Sequence, residues 1–153
     1  MATSAQYTAQ PILEHVQIST ANTNRDGTGT MGTICTGPNT TAGAGVGKRI
    51  FRIIVQATVT TTAGVVRFFI STDNGTTKRM ICEKIVPAIT PSTTIPAWRV
   101  EVPELVGLII PGGTGNILYA STNNAETFNI LCESGTLWIM DFTGFQLVKL
   151  YQQ

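Results

Sequence analysis

Apolar and polar residues alternate with a period of two along most of this chain, and no stretch makes a convincing helix. In RIFRIIVQATVTTT, residues 49–62, Phe51, Ile53, Val55, Ala57 and Val59 fall on one face, while Arg52, Gln56, Thr58 and Thr60 sit among the other. That pattern predicts a long strand with the Phe51 face in the core. WRVEV, residues 98–102, alternates in the same way, with Trp98, Val100 and Val102 inward and Arg99 and Glu101 outward. Further strands are expected in ILEHVQIS (12–19), MGTICTG (31–37), VVRFFIST (65–72), KRMICEKIV (78–86), GLII (107–110), NILYAST (116–122) and TFNILCES (127–134). The tail GTLWIMDFTGFQLVKLYQQ supplies one or two more, with Trp138, Met140 and Phe142 on one face.

The punctuation between these runs is that of β structure. RDGTGT and GPNTTAG flank the short strand at 31–37, and DNGTT, residues 73–77, is a strong hairpin signal. Ala63 and Gly64 read as a tight turn, so the strands before it, after it and beyond DNGTT are expected to form a three-strand meander. PAITPSTTIPAW then places Pro87, Pro91 and Pro96 close together, which forbids a central strand and suits an extended crossover between sheets. About nine or ten short strands with a long crossover favour an all-β, jelly-roll or Greek-key β-sandwich of about 8–10 strands over an up-and-down barrel. The expected organisation is an extended N-terminal arm at residues 1–11 and a single sandwich domain at 12–153.

Composition supports this picture. The chain has 153 residues, enough to bury roughly 70% of its unfolded surface in one domain. Only 12% of residues are charged, and threonine, with 25 copies, is the commonest residue. Threonine suits strands and gives them a neutral, hydroxyl-coated exterior. A net charge of +1 offers no long-range field for nucleic acid or anionic lipid, and leaves little to oppose association with a protein partner. MATSAQYTAQP has neither a cationic start nor an apolar core, so no signal peptide is expected. Apolar runs such as LVGLII are far short of the roughly 20 residues of a membrane span.

Candidate chemistry is sparse. TAGAGVGKR, residues 41–49, mimics a phosphate loop, but Ala42 replaces the first glycine, Arg49 replaces the hydroxyl residue, and a strand instead of a helix follows. Cys35, Cys82 and Cys132 are an odd, widely spaced set without a CxxC pair, expected as buried reduced thiols and not as a zinc site or disulfide framework. His15, the only histidine, has no serine or cysteine beside it in sequence, although a spatial triad with Cys35 or Cys132 remains conceivable. Glu101 and Glu104 lack the opposed placement of a glycosidase pair, and Asp26, Asp73 and Asp141 read as turn residues. Lys48, Arg49, Arg52, Lys78 and Arg79 would make a basic patch for an acidic protein partner if their strands paired suitably. The expectation is therefore no enzyme, no catalytic residue, no metal and no cofactor.

Residues 60–135, with the DNGTT hairpin, the VPAITPSTTIPA crossover, the LIIPGG turn and the ASTNNAETFNI strand pair, resemble a recurring type of tailed-bacteriophage head protein. The likeness is to the jelly-roll capsid decoration or cement proteins. It implies a structural virion protein, made in the host cytoplasm, that binds the major capsid protein on the outer capsid surface, often as a homotrimer, without nucleic acid or membrane. It carries no catalytic residues across and leaves the arm and residues 136–153 for contacts with capsid and sister subunits. Tyr7, Pro11 and Ile12, in and just after the arm, are candidates to lace into a neighbour; Trp138, Phe145 and Tyr151 are candidates to seal subunit contacts. Two other readings remain: a phage tail or fibre head that recognises a receptor, which would group exposed aromatics at one loop end, and a carbohydrate-active sandwich enzyme, which would need opposed carboxylates.

Overall fold

The computed structural model describes residues 6–39 and 46–139. Nine strands among them form two antiparallel sheets: β1 (Gln6–Ile18), β2 (Gly32–Thr36), β3 (Gly47–Ala57), β4 (Gly64–Ser71), β5 (Arg79–Val86), β6 (Arg99–Glu101), β7 (Ile109–Pro111), β8 (Ile117–Thr122) and β9 (Phe128–Ile139). Sheet A has the order β1-β9-β3-β6, with β7 pairing farther along the same edge of β3; sheet B has the order β2-β8-β4-β5. Successive strands change sheet at most connections; the β4–β5 hairpin stays within sheet B, and β6–β7 stays along the β3 edge of sheet A. This is the double Greek key of a jelly-roll sandwich.

The expected three-strand meander is corrected here. Strand β3 belongs to sheet A and β4 to sheet B, so Ala63 and Gly64 end a segment that passes between sheets instead of a hairpin turn. Strand β3 has both edges occupied, by β9 on one side and by β6 and β7 on the other, and has no edge left for β4. The DNGTT hairpin forms as expected. Asn74 and Gly75 both take positive φ, 60° and 80°, as a tight turn matching strand twist requires, and a Cβ on Gly75 would lie 2.6 Å from the Tyr119 hydroxyl. The proline-rich segment 87–98 crosses from sheet B to sheet A, joined to the preceding connection by paired backbone bonds between Thr61 and Ile89.

Strand β3 departs from strict alternation. Its ladder with β9 slips between Ile50 and Arg52, and this bulge turns Phe51 outward. Ile50 is consequently fully buried and Phe51 40% exposed, the reverse of the simple pattern, while Ile53, Val55 and Ala57 stay in the core. Val59 lies beyond the strand and is exposed. TFNILCES and GTLWI, expected as separate strands, form the single strand β9. Strand β1 begins at Gln6, so residues 6–11 of the expected arm pair with β9 of their own chain, Pro11 opposite Gly135 and Gln10 opposite Thr136.

The core lies between the sheets. Sheet A contributes Ile18, Ile50, Ile53, Val55, Phe128 and Ile130; sheet B contributes Ile34, Val66, Phe68, Val86, Leu118 and Ala120. Trp98 meets Phe128 edge-on, 5.9 Å between ring centres, and Val102, Leu105 and Ile110 complete the packing. A second cluster, Phe69, Ile117, Tyr119 and Met31, sits on the outer side of sheet B. The loop of residues 19–31 packs over that side. Buried Asn22 organises the loop: its side-chain amide donates to the Thr28 and Thr30 carbonyls, both at 2.9 Å, and its Oδ1 accepts from the Asn24 amide at 3.0 Å. Arg67 donates to the Asn22 carbonyl at 3.0 Å, and Arg25 and Arg67 both pair with Glu83.

Asn22→Ala lowers unfolding free energy by about 2 kcal/mol, because three backbone groups lose their partner; urea unfolding measures the loss, and hydrogen exchange shows faster opening at Met31 to Ile34. Asp73 accepts from the Thr77 amide at 2.8 Å and the Ser71 hydroxyl at 2.7 Å, and these bonds lower its pKa from 3.8 to about 2. A depressed carboxyl pKa stabilises the fold above its unfolded value and loses that effect as pH falls through the folded value. Asp73→Asn therefore flattens the fall in stability between pH 3.8 and about 2, as read from urea midpoints across that range.

Candidate interaction face

The two sheets differ in what covers their outer sides. Sheet B is covered over β4 and β8 by the 19–31 loop and the 73–77 turn, beside which Lys78 donates to the Gly75 carbonyl at 2.8 Å and lies over the Tyr119 ring at 5.3 Å, while Met80, Ile81 and Ile85 on β5 stay exposed. No described element packs over sheet A's outer face in the same way. Register there aligns side chains into rows across the strands. One row runs Gln17, Asn129, Gln56, Arg99; the next His15, Leu131, Ile54, Glu101; the next Leu13, Glu133, Arg52. Beyond the β3 bulge follow Pro11, Gly135, Arg49 and Ile109. An open groove of about 670 Å³ runs along the first two rows, lined by His15, Gln17, Gln56, Arg99, Asn129 and Leu131 among others.

The chemistry of the rows is mixed. Gln17 donates to Asn129 at 3.0 Å in the amide row. In the charged row Arg52 makes two bonds to Glu133, and its guanidinium also stands 3.7 Å from Glu101, which Arg99 approaches at 3.7 Å. The Arg52 guanidinium beside it holds the Glu133 carboxyl below the usual carboxylate range. Leu13, at 63% exposure, stands at the free edge of the sheet, and Phe51, Val106 and Ile109 are also exposed. Such a surface, apolar side chains among paired charges and hydrogen-bonded amides, suits a protein partner.

The inner face of sheet A becomes polar at one end. Glu14, Ser134, Thr136 and Lys48 point toward sheet B, and Lys48 is buried, with its side chain 5% exposed and its Nζ 2.8 Å from Glu14 Oε1. Ser134 donates to Glu14 Oε2 at 3.4 Å. Cys132 lies opposite Glu14 on the neighbouring strand, and Cys35 reaches across from β2. The facing Cys132 sulfur, and then burial, push the Cys35 thiol up from its ordinary value. Ligand atoms of Glu14, Cys35 and Cys132 all lie within 4.8 Å of one another. The sequence reading expected no metal site, because wide spacing hid that the sheets bring two thiols and a carboxylate together. The signal available was parity: Glu14 and Lys48 occupy inward positions in step with Ile12 and Ile50.

The other expected residues fall as follows. Pro11 is exposed and half-buried Ile12 faces inward opposite Ser134. Tyr7 and Trp138 are paired in the β1–β9 ladder, while Phe145, Tyr151 and Asp141 lie outside the described residues. His15 stands on the outer face of sheet A and the two cysteines on its inner side, so the conceivable triad does not form. The basic patch does not assemble either: Lys48 is buried against Glu14, Arg52 is paired with Glu133, and Lys78 and Arg79 belong to the sheet B hairpin. Glu104 pairs with Lys84 at 2.5 Å, away from Glu101, which faces Arg52. The glycine-rich stretch ends, as expected, in a strand and not a helix.

No family model and no curated protein matches the chain. Among solved structures, a chain from one titled "Structure of infectious bursal disease virus Gt strain" is similar over 89% of this chain and 34% of that one, at 14% identity and a TM-score of 0.39. The chain thus spans about a third of the length of that protein, and a likeness at this level carries no functional argument.

Arg52→Ala removes the partner that lowers the Glu133 pKa. The Glu133 carboxyl then titrates at higher pH, toward the ordinary carboxylate value, in an NMR pH series, while the core signals of Ile53 and Phe128 stay in place.

Proposed function

We propose that this protein is a structural component of a bacteriophage particle that binds the outer surface of the capsid and reinforces the shell. The supporting observation is the asymmetry of the sandwich: sheet B is covered over β4 and β8 by the chain's own loops and stays exposed along edge strand β5, whereas the rows across the outer side of sheet A are open, with Leu13 at their edge. The resemblance of residues 60–135 to capsid decoration proteins supplies the choice of partner, the major capsid protein. A ligand that prefers the assembled shell to free capsomers stabilises the shell by its own binding free energy. Three copies joined as a homotrimer present three such faces together, and modest contacts then combine through effective concentration. Low net charge removes a barrier to dense coverage.

Purified particles provide the test. The protein is expected at one copy per capsid subunit or a simple fraction of it, and Leu13→Asp abolishes binding to emptied particles in co-sedimentation. Ile85→Asp, at an 80% exposed position on the edge of sheet B, retains binding. Both positions are exposed enough that stability changes by no more than about 0.5 kcal/mol. A handful of copies per particle would move the protein to the tail, and absence from particles would overturn the reading.

A further inference from the structure

We propose that Glu14, Cys35 and Cys132 form a binding site for a thiophilic divalent cation of the zinc type, set between the two sheets. The three residues come from three strands: Glu14 from β1 and Cys132 from β9 in sheet A, Cys35 from β2 in sheet B. Their ligand atoms lie within 4.8 Å of one another. Zinc binds thiolate sulfur at about 2.3 Å and carboxylate oxygen at about 2.0–2.2 Å, so donors around one tetrahedral ion stand roughly 3.5–4 Å apart. Metal uptake would draw the three donors together from the spacing they have here. Two sulfurs and one oxygen favour zinc over calcium or magnesium, which take oxygen ligands.

The surroundings supply what such a site needs beyond its three ligands. Lys48 holds one oxygen of Glu14 at 2.8 Å, and Ser134 approaches the other at 3.4 Å, so the carboxylate is oriented from both sides. On uptake, each thiol releases its proton to solvent as its sulfur bonds the metal. The ion brings two positive charges while two protons leave, so the pocket's net charge is unchanged and buried Lys48 keeps balancing Glu14. Without that lysine, two thiolates and a carboxylate around one dication would leave a buried negative charge, which is costly in an apolar interior. A water completes the fourth position. Glu14, with 24% of its side chain exposed, marks the route in from solvent.

Because one ligand comes from sheet B and two from sheet A, the ion would fasten the sandwich across its layers. Gly32, on the same strand as Cys35, shows how closely the layers approach there: a Cβ at Gly32 would lie 2.6 Å from the Ile18 side chain. Metal bound to the folded state alone raises stability by mass action.

Cobalt(II) is the probe, added to chelator-treated, fully reduced protein kept anaerobic, after three free thiols have been counted in denaturant. A thiolate-to-cobalt charge-transfer band and tetrahedral ligand-field bands are expected, saturating at one equivalent and abolished by zinc. Cys35→Ser and Cys132→Ser lose the charge-transfer intensity in part and together lose all of it. Glu14→Gln weakens cobalt binding by about tenfold or more, the loss that even an outer-shell partner commonly causes. Cys82→Ser, on edge strand β5 outside the cluster, leaves the spectrum unchanged. Zinc raises the melting temperature of the wild type, and less so of Glu14→Gln, a variant that leaves both core cysteines in place. Reduced, folded wild-type protein without a charge-transfer band would overturn the proposal. So would a band that Cys82→Ser removes, or one that both core cysteine variants keep at full intensity.

Discussion

Strand β9 is paired along most of its length on both sides, with β1 and with β3, and the register of these two ladders sets both faces of sheet A. Its inward residues begin apolar, with Phe128 and Ile130, and then turn polar, with Cys132, Ser134 and Thr136. That change along one strand obliges the neighbours to change with it. A buried ammonium or carboxylate facing apolar side chains would carry a desolvation cost of several kcal/mol, so Lys48 and Glu14 are tolerable only where they meet each other and the hydroxyl of Ser134. The apolar half of the core and the polar end are thus consequences of one sequence gradient, read through one register.

The outward residues of the same strand, Asn129, Leu131 and Glu133, organise the opposite face. Each sits in the middle of a row and meets a matching neighbour: an amide beside amides, a leucine beside Ile54, a carboxylate beside the oppositely charged Arg52. Burying this face against a partner therefore desolvates charges that already have partners. The amides are bonded as well, Gln17 to Asn129 and Gln56 to the Ala57 and Trp98 carbonyls, so the exposed apolar edge at Leu13 is what such burial would favour. On sheet B, Asn22 and Glu83 draw the 19–31 loop down over Phe69 and Tyr119, so that exposed apolar side chains are left on edge strand β5, at Met80, Ile81 and Ile85. A sandwich whose two outer faces differ in cover has a direction in which to dock.

Much of the fold was legible from local pattern. WRVEV alternates as read, because β6 is short and regular; the DNGTT turn forms because Asn74 and Gly75 tolerate positive φ. The exceptions share a cause: period two identifies a strand but says nothing of which sheet it joins or where its ladder slips. The bulge at Phe51 inverted two side chains that alternation had placed. The supposed meander failed because β3's edges were taken by strands remote in sequence. The cluster of Glu14, Cys35 and Cys132 was hidden for the same reason, since its members meet only after β1, β2 and β9 have come together. Charges at inward positions, Glu14 among isoleucine and valine and Lys48 ahead of Ile50, were the local trace of it, and reading them requires asking what each strand would face.

That dependence on remote strands bears on how the sandwich closes. The first and ninth strands are partners, so the ladder that completes sheet A joins nearly opposite ends of the described chain. Loop-closure entropy delays such contacts relative to the β4–β5 hairpin, which forms through a short turn. Until β9 docks, Glu14 lacks its cross-strand neighbour Cys132, Lys48 lacks the β9 ladder beside it, and the outer rows lack their central residues. Closure of sheet A therefore assembles the polar cluster and the open face in one event. An ion bound across Glu14, Cys35 and Cys132 would act on that event directly, because it would hold β1 and β9 together with β2 of the facing sheet and so resist opening at the ladder whose strands lie farthest apart in sequence.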